Sequence, residues 1–108
     1  MVLRGYPLNI YSNRSIHLPR NLCRVYGFQE KTKLIRRECT GGFFFRPFFQ
    51  EPLSKGEMLA ILRNEILYLP SQWLIQNELK SGKSILYLTA TVEGFYMMIH
   101  SEFSFDEL

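Results

Sequence analysis

Arg20 and Arg24 stand four residues apart in Pro19-Arg20-Asn21-Leu22-Cys23-Arg24-Val25-Tyr26, so on a helix they share one face. Around them lie Arg14, Lys31, Lys33, Arg36 and Arg37. Guanidinium forks grip phosphates bidentately or read guanine edges, and lysines act as point charges toward the same partners. The chemistry on offer is anion binding. The charge is also unevenly placed. Residues 1–54 hold nine Lys/Arg against three Asp/Glu, a balance of +6, whereas residues 55–108 hold four against seven, a balance of −3. A chain divided in this way is expected to meet a polyanion with its first half. Arg36 ranks second, because strand alternation turns it sideways or toward Glu38.

Other residue types offer less. Gly82-Lys83-Ser84 has the ending of a phosphate loop, but Asn77 stands where that loop needs its first glycine, and the next segment reads as strand rather than helix. His17, His100, Cys23 and Cys39 have no metal-ligand spacing, so neither metal nor cofactor is expected. On a basic helix Cys23 admits a lowered thiol pKa and a redox role, although a small buried cysteine is the favoured reading. No nucleophile, base and orienting group stand together, and adjacent carboxylates occur only at Asp106-Glu107. The chain is not expected to be an enzyme.

The elements that position these residues recur. Leu8 to Pro19 aligns with Leu59 to Pro70 at a constant offset of 51, with identical pairs Leu8/Leu59, Ile10/Ile61, Asn13/Asn64, Leu18/Leu69 and Pro19/Pro70. The alignment runs on through Phe28/Leu79, Leu34/Ile85 and Thr40/Thr91. One residue is then inserted, and Gly42-Phe43-Phe44 meets Gly94-Phe95-Tyr96. Each copy reads as β-β-α-β-β. Pro7 to Ile10 and Ser15 to Leu18 are strands about a Ser12-Asn13 turn. Pro19 opens a helix with Leu22, Val25 and Tyr26 on one face, and Gly27 stops it. Lys33 to Cys39 and Phe43 to Phe48 are strands about Thr40-Gly41-Gly42. The second copy repeats this with strands Met58 to Leu62, Glu65 to Leu69, Ser84 to Thr91 and Phe95 to His100. Its helix starts at Pro70 and holds Trp73, Leu74 and Leu79, and its last turn falls at Glu93-Gly94.

The organisation expected is therefore a basic first repeat (1–48), a Pro- and Gly-containing linker (49–56), a diverged second repeat (57–100) and an acidic tail (101–108). Hydrophobic residues at 46% and aromatics at 15% suit a packed, mainly β domain. No apolar run approaches the ~20 residues of a membrane span. No signal-peptide pattern and only two cysteines point to a cytoplasmic protein without membrane contact.

The string from Arg14 to Phe28 resembles the signature of the AbrB/MazE/MraZ superfamily through Ile16, Leu18, Pro19, Leu22, Arg24, Gly27 and Phe28. Lys33-Leu34-Ile35 and Gly42 to Pro47 look like that family's third and fourth strands. Asn13 stands where the family has Gly, and Cys23 where many members have Arg. The likeness covers residues 7–48 directly and 58–100 through the repeat. It implies a swapped-hairpin, double-psi-like barrel in which one chain supplies both halves as a pseudo-dimer, the MraZ arrangement. It also implies a DNA-binding transcriptional regulator of the AbrB-like type that meets duplex DNA through Arg14, Arg20, Arg24, Lys31, Lys33 and Arg37. The second copy replaces Arg14, Arg20 and Arg24 by Glu65, Ser71 and Ile75. The alternative is a protein-interaction module, antitoxin-like or a phage-type inhibitor, using the barrel and the apolar linker. Phe48, Phe49 and Trp73 are the residues through which a protein partner or a second copy in a homodimer would be met, Trp73 reading as either core or interface. A monomeric pseudo-dimer and an intertwined dimer of chains both remain open.

Overall fold

The computed structural model describes residues 3–100; the acidic tail expected at 101–108 lies outside them. Ten elements follow along the chain: β1 (Tyr6–Asn9), β2 (Ser15–His17), α1 (Arg20–Tyr26), β3 (Lys31–Cys39), β4 (Gly42–Pro47), β5 (Glu57–Arg63), β6 (Ile66–Tyr68), α2 (Ser71–Gln76), β7 (Ile85–Ala90) and β8 (Phe95–Met98). All strand pairs are antiparallel, in the order β1-β7-β8-β4-β3-β5-β6-β2. The sheet curls into a nearly closed barrel, its end strands β1 and β2 meeting through the Tyr11 N–H donated to the Ser15 carbonyl at 2.9 Å.

Four of the seven ladders, β1–β7, β2–β6, β3–β5 and β4–β8, join a strand before residue 48 to one after residue 56. Neither half therefore completes its own hydrogen bonding. Exchanging the first four strands for the last four leaves the cyclic order unchanged. Ile16 lies directly opposite Leu67 at one pole of the barrel, and Phe44 opposite Tyr96 at the other, with ring centroids 4.6 Å apart.

The offset of 51 holds for β2 and β6, where Ile16 and Leu67 are both buried, but not for β1 and β5 or for β3 and β7. Leu8 and Ile10 are buried, but their expected counterparts Leu59 and Ile61 are exposed. Ala60 and Leu62 face the core instead, an offset of 52. Likewise Leu34 corresponds in burial to Leu86, not Ile85. The β5–β6 turn is one residue shorter than the β1–β2 turn, and the segment after α2 is one residue longer. Because side chains alternate across a strand, a slip of one residue turns every side chain to the other face. The last turn is accordingly Val92-Glu93, with the Thr91 N–H donated to the Gly94 carbonyl at 2.7 Å.

Both prolines stand at N-caps, one position before the helices begin. Leu22 and Cys23 of α1 and Trp73 and Leu74 of α2 are buried. Val25, expected on the core face, is 70% exposed: Tyr26 completes that face and Val25 points away. Gly27 ends α1 in the left-handed region at φ 71°. Glu78, its counterpart after α2, takes the same region at φ 56° without glycine's freedom. The core runs from Leu8 to Met97 and includes stacked Phe45 and Phe95 rings 5.2 Å apart. Phe44, Tyr96 and Met98 form a second cluster on the outside of β4 and β8, which accounts for alternate members of the phenylalanine run.

Where β4 and β8 cross, two glycines allow the backbones to touch. A Cβ on Gly42 would lie 2.0 Å from the Met97 carbonyl oxygen, and one on Gly94 would lie 2.1 Å from that of Phe45. Gly42→Ala should lower the unfolding free energy by about 3 kcal/mol in urea titration, since backbone must move. Glu78→Gly should raise it by roughly 0.5–1 kcal/mol in the same assay.

Candidate nucleic-acid interface

Leu34 on β3 and Leu62 on β5 are fully buried, so alternation sends Lys31, Lys33, Arg37, Ile61 and Arg63 outward. The β3–β5 register sets Lys31 opposite Arg63 and Lys33 opposite Ile61. Directly opposed like charges are unfavourable, yet among the described residues no carboxylate lies within 4.0 Å of Lys31, Lys33 or Arg63. These three cations form a positive surface without carboxylate compensation.

Helix α1 carries two more cations. Arg20 and Arg24 line a hollow of about 410 Å³ with Cys23, Phe28, Glu30 and Glu65. Arg20 Nε lies 3.3 Å from Glu65 Oε1, an exposed ion pair worth about 0.5 kcal/mol. Arg24 has no such partner among the described residues. On the other flank, Lys31 and Lys33 line a groove of about 700 Å³ whose walls are Tyr26, Phe28, Pro47, Phe48 and Phe49.

The fold thus sets Arg20 with Arg24 in one hollow and Lys31 with Lys33 in another, the two sharing the Phe28 wall, and it separates two other expected members. The Arg14 carbonyl accepts the Leu69 N–H at 2.9 Å, just as the Glu65 carbonyl accepts that of Leu18 at 2.8 Å. Arg14 therefore stands at the start of α2, while Glu65 takes the matching place beside Arg20. Arg37 shares the outer face with Lys31 but lies six residues along β3, about 20 Å away. Its guanidinium sits 5.6 Å from the Phe44 ring centroid, and its cross-strand neighbour is Glu57. Arg36 turns inward, 5.2 Å from the Phe43 ring centroid, where burial lowers its pKa and Glu38 opposes the shift.

Arg63 is the member that sequence reading missed. It stands in the acidic half, and only the β3–β5 ladder brings it to Lys31. Of its two expected places, core and interface, Trp73 takes the core: it is buried, 4.6 Å from the Phe43 ring. Phe48 is half-buried, and Phe49 is 79% exposed. His17 is an exposed residue packed on Tyr11 at 4.4 Å. The Gly82 N–H donates to the Ile10 carbonyl at 2.7 Å and strand β7 follows, so this segment ties loops together. Among the described residues no three of His, Cys, Asp and Glu come together, and no helix is long and apolar enough to cross a membrane.

Comparison of the chain with protein-family models, curated proteins and solved structures returns no match.

The thiols carry a further check. Burial, reinforced by the Glu65 carboxylate, pushes Cys23 up to about 11, the opposite of an activated cysteine. A raised folded-state value favours the neutral thiol. Its contribution to stability is complete below the ordinary value of 9.0 and is lost as pH rises toward 11. Cys39 is also raised, by burial first, but is only half-buried. Iodoacetamide at pH 8 should label Cys39 well before Cys23 in peptide mass spectra; equal labelling contradicts this assignment.

Proposed function

We propose that this chain is a DNA-binding regulator built as a tandem swapped-hairpin barrel of the AbrB/MazE/MraZ kind. The observation that carries the DNA reading is the Lys31–Arg63 pair beside Lys33: opposed cations without carboxylate partners on a rigid strand face. Strands hold their side chains at fixed intervals, so a row of cations on them suits a polymer of regularly spaced phosphates. Arg24 and Arg20 on α1 continue the row. The architectural part draws on the four ladders that cross between the halves and on a strand order that both halves share.

In this reading Arg24, Lys31, Lys33 and Arg63 contact phosphates of duplex DNA. Arg20 joins when it releases Glu65. The full row of cations belongs to the β3–β5 side of the barrel only. The matching β1–β7 side presents Pro7, Asn9, Ile85 and Tyr87 on its strands, and only Lys83, the counterpart of Lys31, stands beside Asn9 and Tyr11 just before β7. One chain therefore offers two unequal faces, the fuller one on the β3–β5 side, and two-fold recognition of DNA needs two chains.

Gel retardation on a random-sequence duplex tests this. Log affinity should fall against log salt with a slope of about −3 to −4, from ~0.9 per phosphate contacted by four cations. Lys33→Glu, Arg63→Glu and Arg24→Glu should each weaken binding at least fivefold, and Glu65→Gln should strengthen it about twofold by freeing Arg20. Arg14→Glu and Arg37→Glu should change it less than twofold. Losses there as large as that of Lys33→Glu would place the face elsewhere.

A further inference from the structure

Phe49 is the most exposed aromatic ring among the described residues, at 79%. It is also held in place. Its backbone N–H donates to Glu51 Oε2 at 2.8 Å, and Glu51 Oε1 pairs with Arg46 Nη1 at 2.9 Å. Arg46 Nη2 pairs with Glu57 Oε2 at 3.0 Å, while Glu57 Oε1 accepts the Ser54 N–H at 2.7 Å. On the other side, the Phe48 N–H donates to the Lys33 carbonyl at 3.1 Å. One arginine and two glutamates thus brace the connection between β4 and β5 on both sides of an outward-pointing phenyl ring. A loop braced in this way spends little backbone ordering entropy when something stacks on that ring.

The neighbours of the ring define what fits. Phe49 shares its groove with Lys31 and Lys33, and the other aromatic walls are Phe48 and the Tyr26–Phe28 stack, whose centroids are 5.3 Å apart. Lysines two residues apart on a strand face are spaced by about 7 Å. Cations in a row beside an exposed aromatic platform are the pattern that binds unpaired nucleotides, because every base has a π-face and every linkage a phosphate. An intact duplex hides its base faces within the stack and offers Phe49 nothing but backbone and groove edges.

We infer that Phe49 is a stacking platform for unpaired bases, and that this surface takes a nucleic-acid strand with exposed bases more tightly than the intact duplex. The inference rests on the DNA-binding reading above and adds to the duplex a second form of the same polymer, bound more tightly. Arg46, Glu51 and Glu57 are positioning residues for the ring and do not touch the strand.

The test is fluorescence anisotropy of the full chain against three probes: a labelled 20-nucleotide mixed-sequence DNA strand, its duplex, and a strand of equal length with abasic positions. The intact strand should bind at least tenfold tighter than the duplex or the abasic strand. Phe49→Ala should weaken binding of the intact strand about tenfold while leaving duplex affinity within twofold and the urea midpoint unchanged. Phe49→Trp should restore or exceed the parent. A duplex bound as tightly as the strand, or Phe49→Ala behaving as the parent, overturns this inference and leaves the DNA reading standing. Binding to none of the three probes overturns both.

Discussion

The β3–β5 ladder does the most to hold this molecule together. It is the longest cross-half pairing, from Lys31↔Arg63 to Arg37↔Glu57, and it joins a strand of the first half to one of the second. A half of some 45 residues exposes too much of its surface to bury a core unaided. Pairing across the halves resolves this by giving each half the other's strands as walls. Leu34 and Leu62 then meet inside one barrel with Ile16, Leu67, Phe45 and Phe95. The crossing of β4 and β8 completes it, and there the need for backbone contact forces glycine at 42 and 94.

The same ladder that makes the core makes the charged face. A strand has two sides, so burying Leu34 and Leu62 leaves Lys31, Lys33 and Arg63 on the outside together. Their mutual repulsion is small beside the apolar burial on the inner face, which is why the fold tolerates it. The braced loop from Phe48 to Ser54 adds an aromatic edge. Backbone donation from the Ser54 N–H, assisted by Arg46, holds the Glu57 carboxyl below the usual range, so the brace is charged across neutral pH and loosens only in acid. Rigidity and charge therefore meet at one edge of the barrel, between α1 and the β4–β5 connection.

The two helices show how similar sequence features end differently. Each starts beyond a proline and packs two consecutive buried residues on the barrel. α1 stops on a glycine that accepts the left-handed conformation freely; α2 reaches the same backbone state with Glu78. Arg14 and Glu65 also share a positive φ, at 66° and 69°, in matching turns. Backbone geometry is common to the halves, whereas charge is not.

What the sequence determined by itself was the kind and order of the elements. Alternation marked the strands, Pro19 and Pro70 marked the helix starts, and Gly27 marked a helix end, because these signals act within a few residues. It also showed that the basic residues concentrate in the first half. Sequence could not fix which strand lies beside which, since ladders such as β3–β5 and β1–β7 join residues far apart in the chain. Nor did it reveal that a shorter turn and a longer loop shift β5 and β7 by one residue, so that Leu59 and Ile61 face out. Only the tertiary structure brought Arg63 to Lys31, carried Arg14 away to α2 and closed Trp73 inside. Contact across the barrel depends on register, and register is set by the whole closed sheet rather than by any local segment.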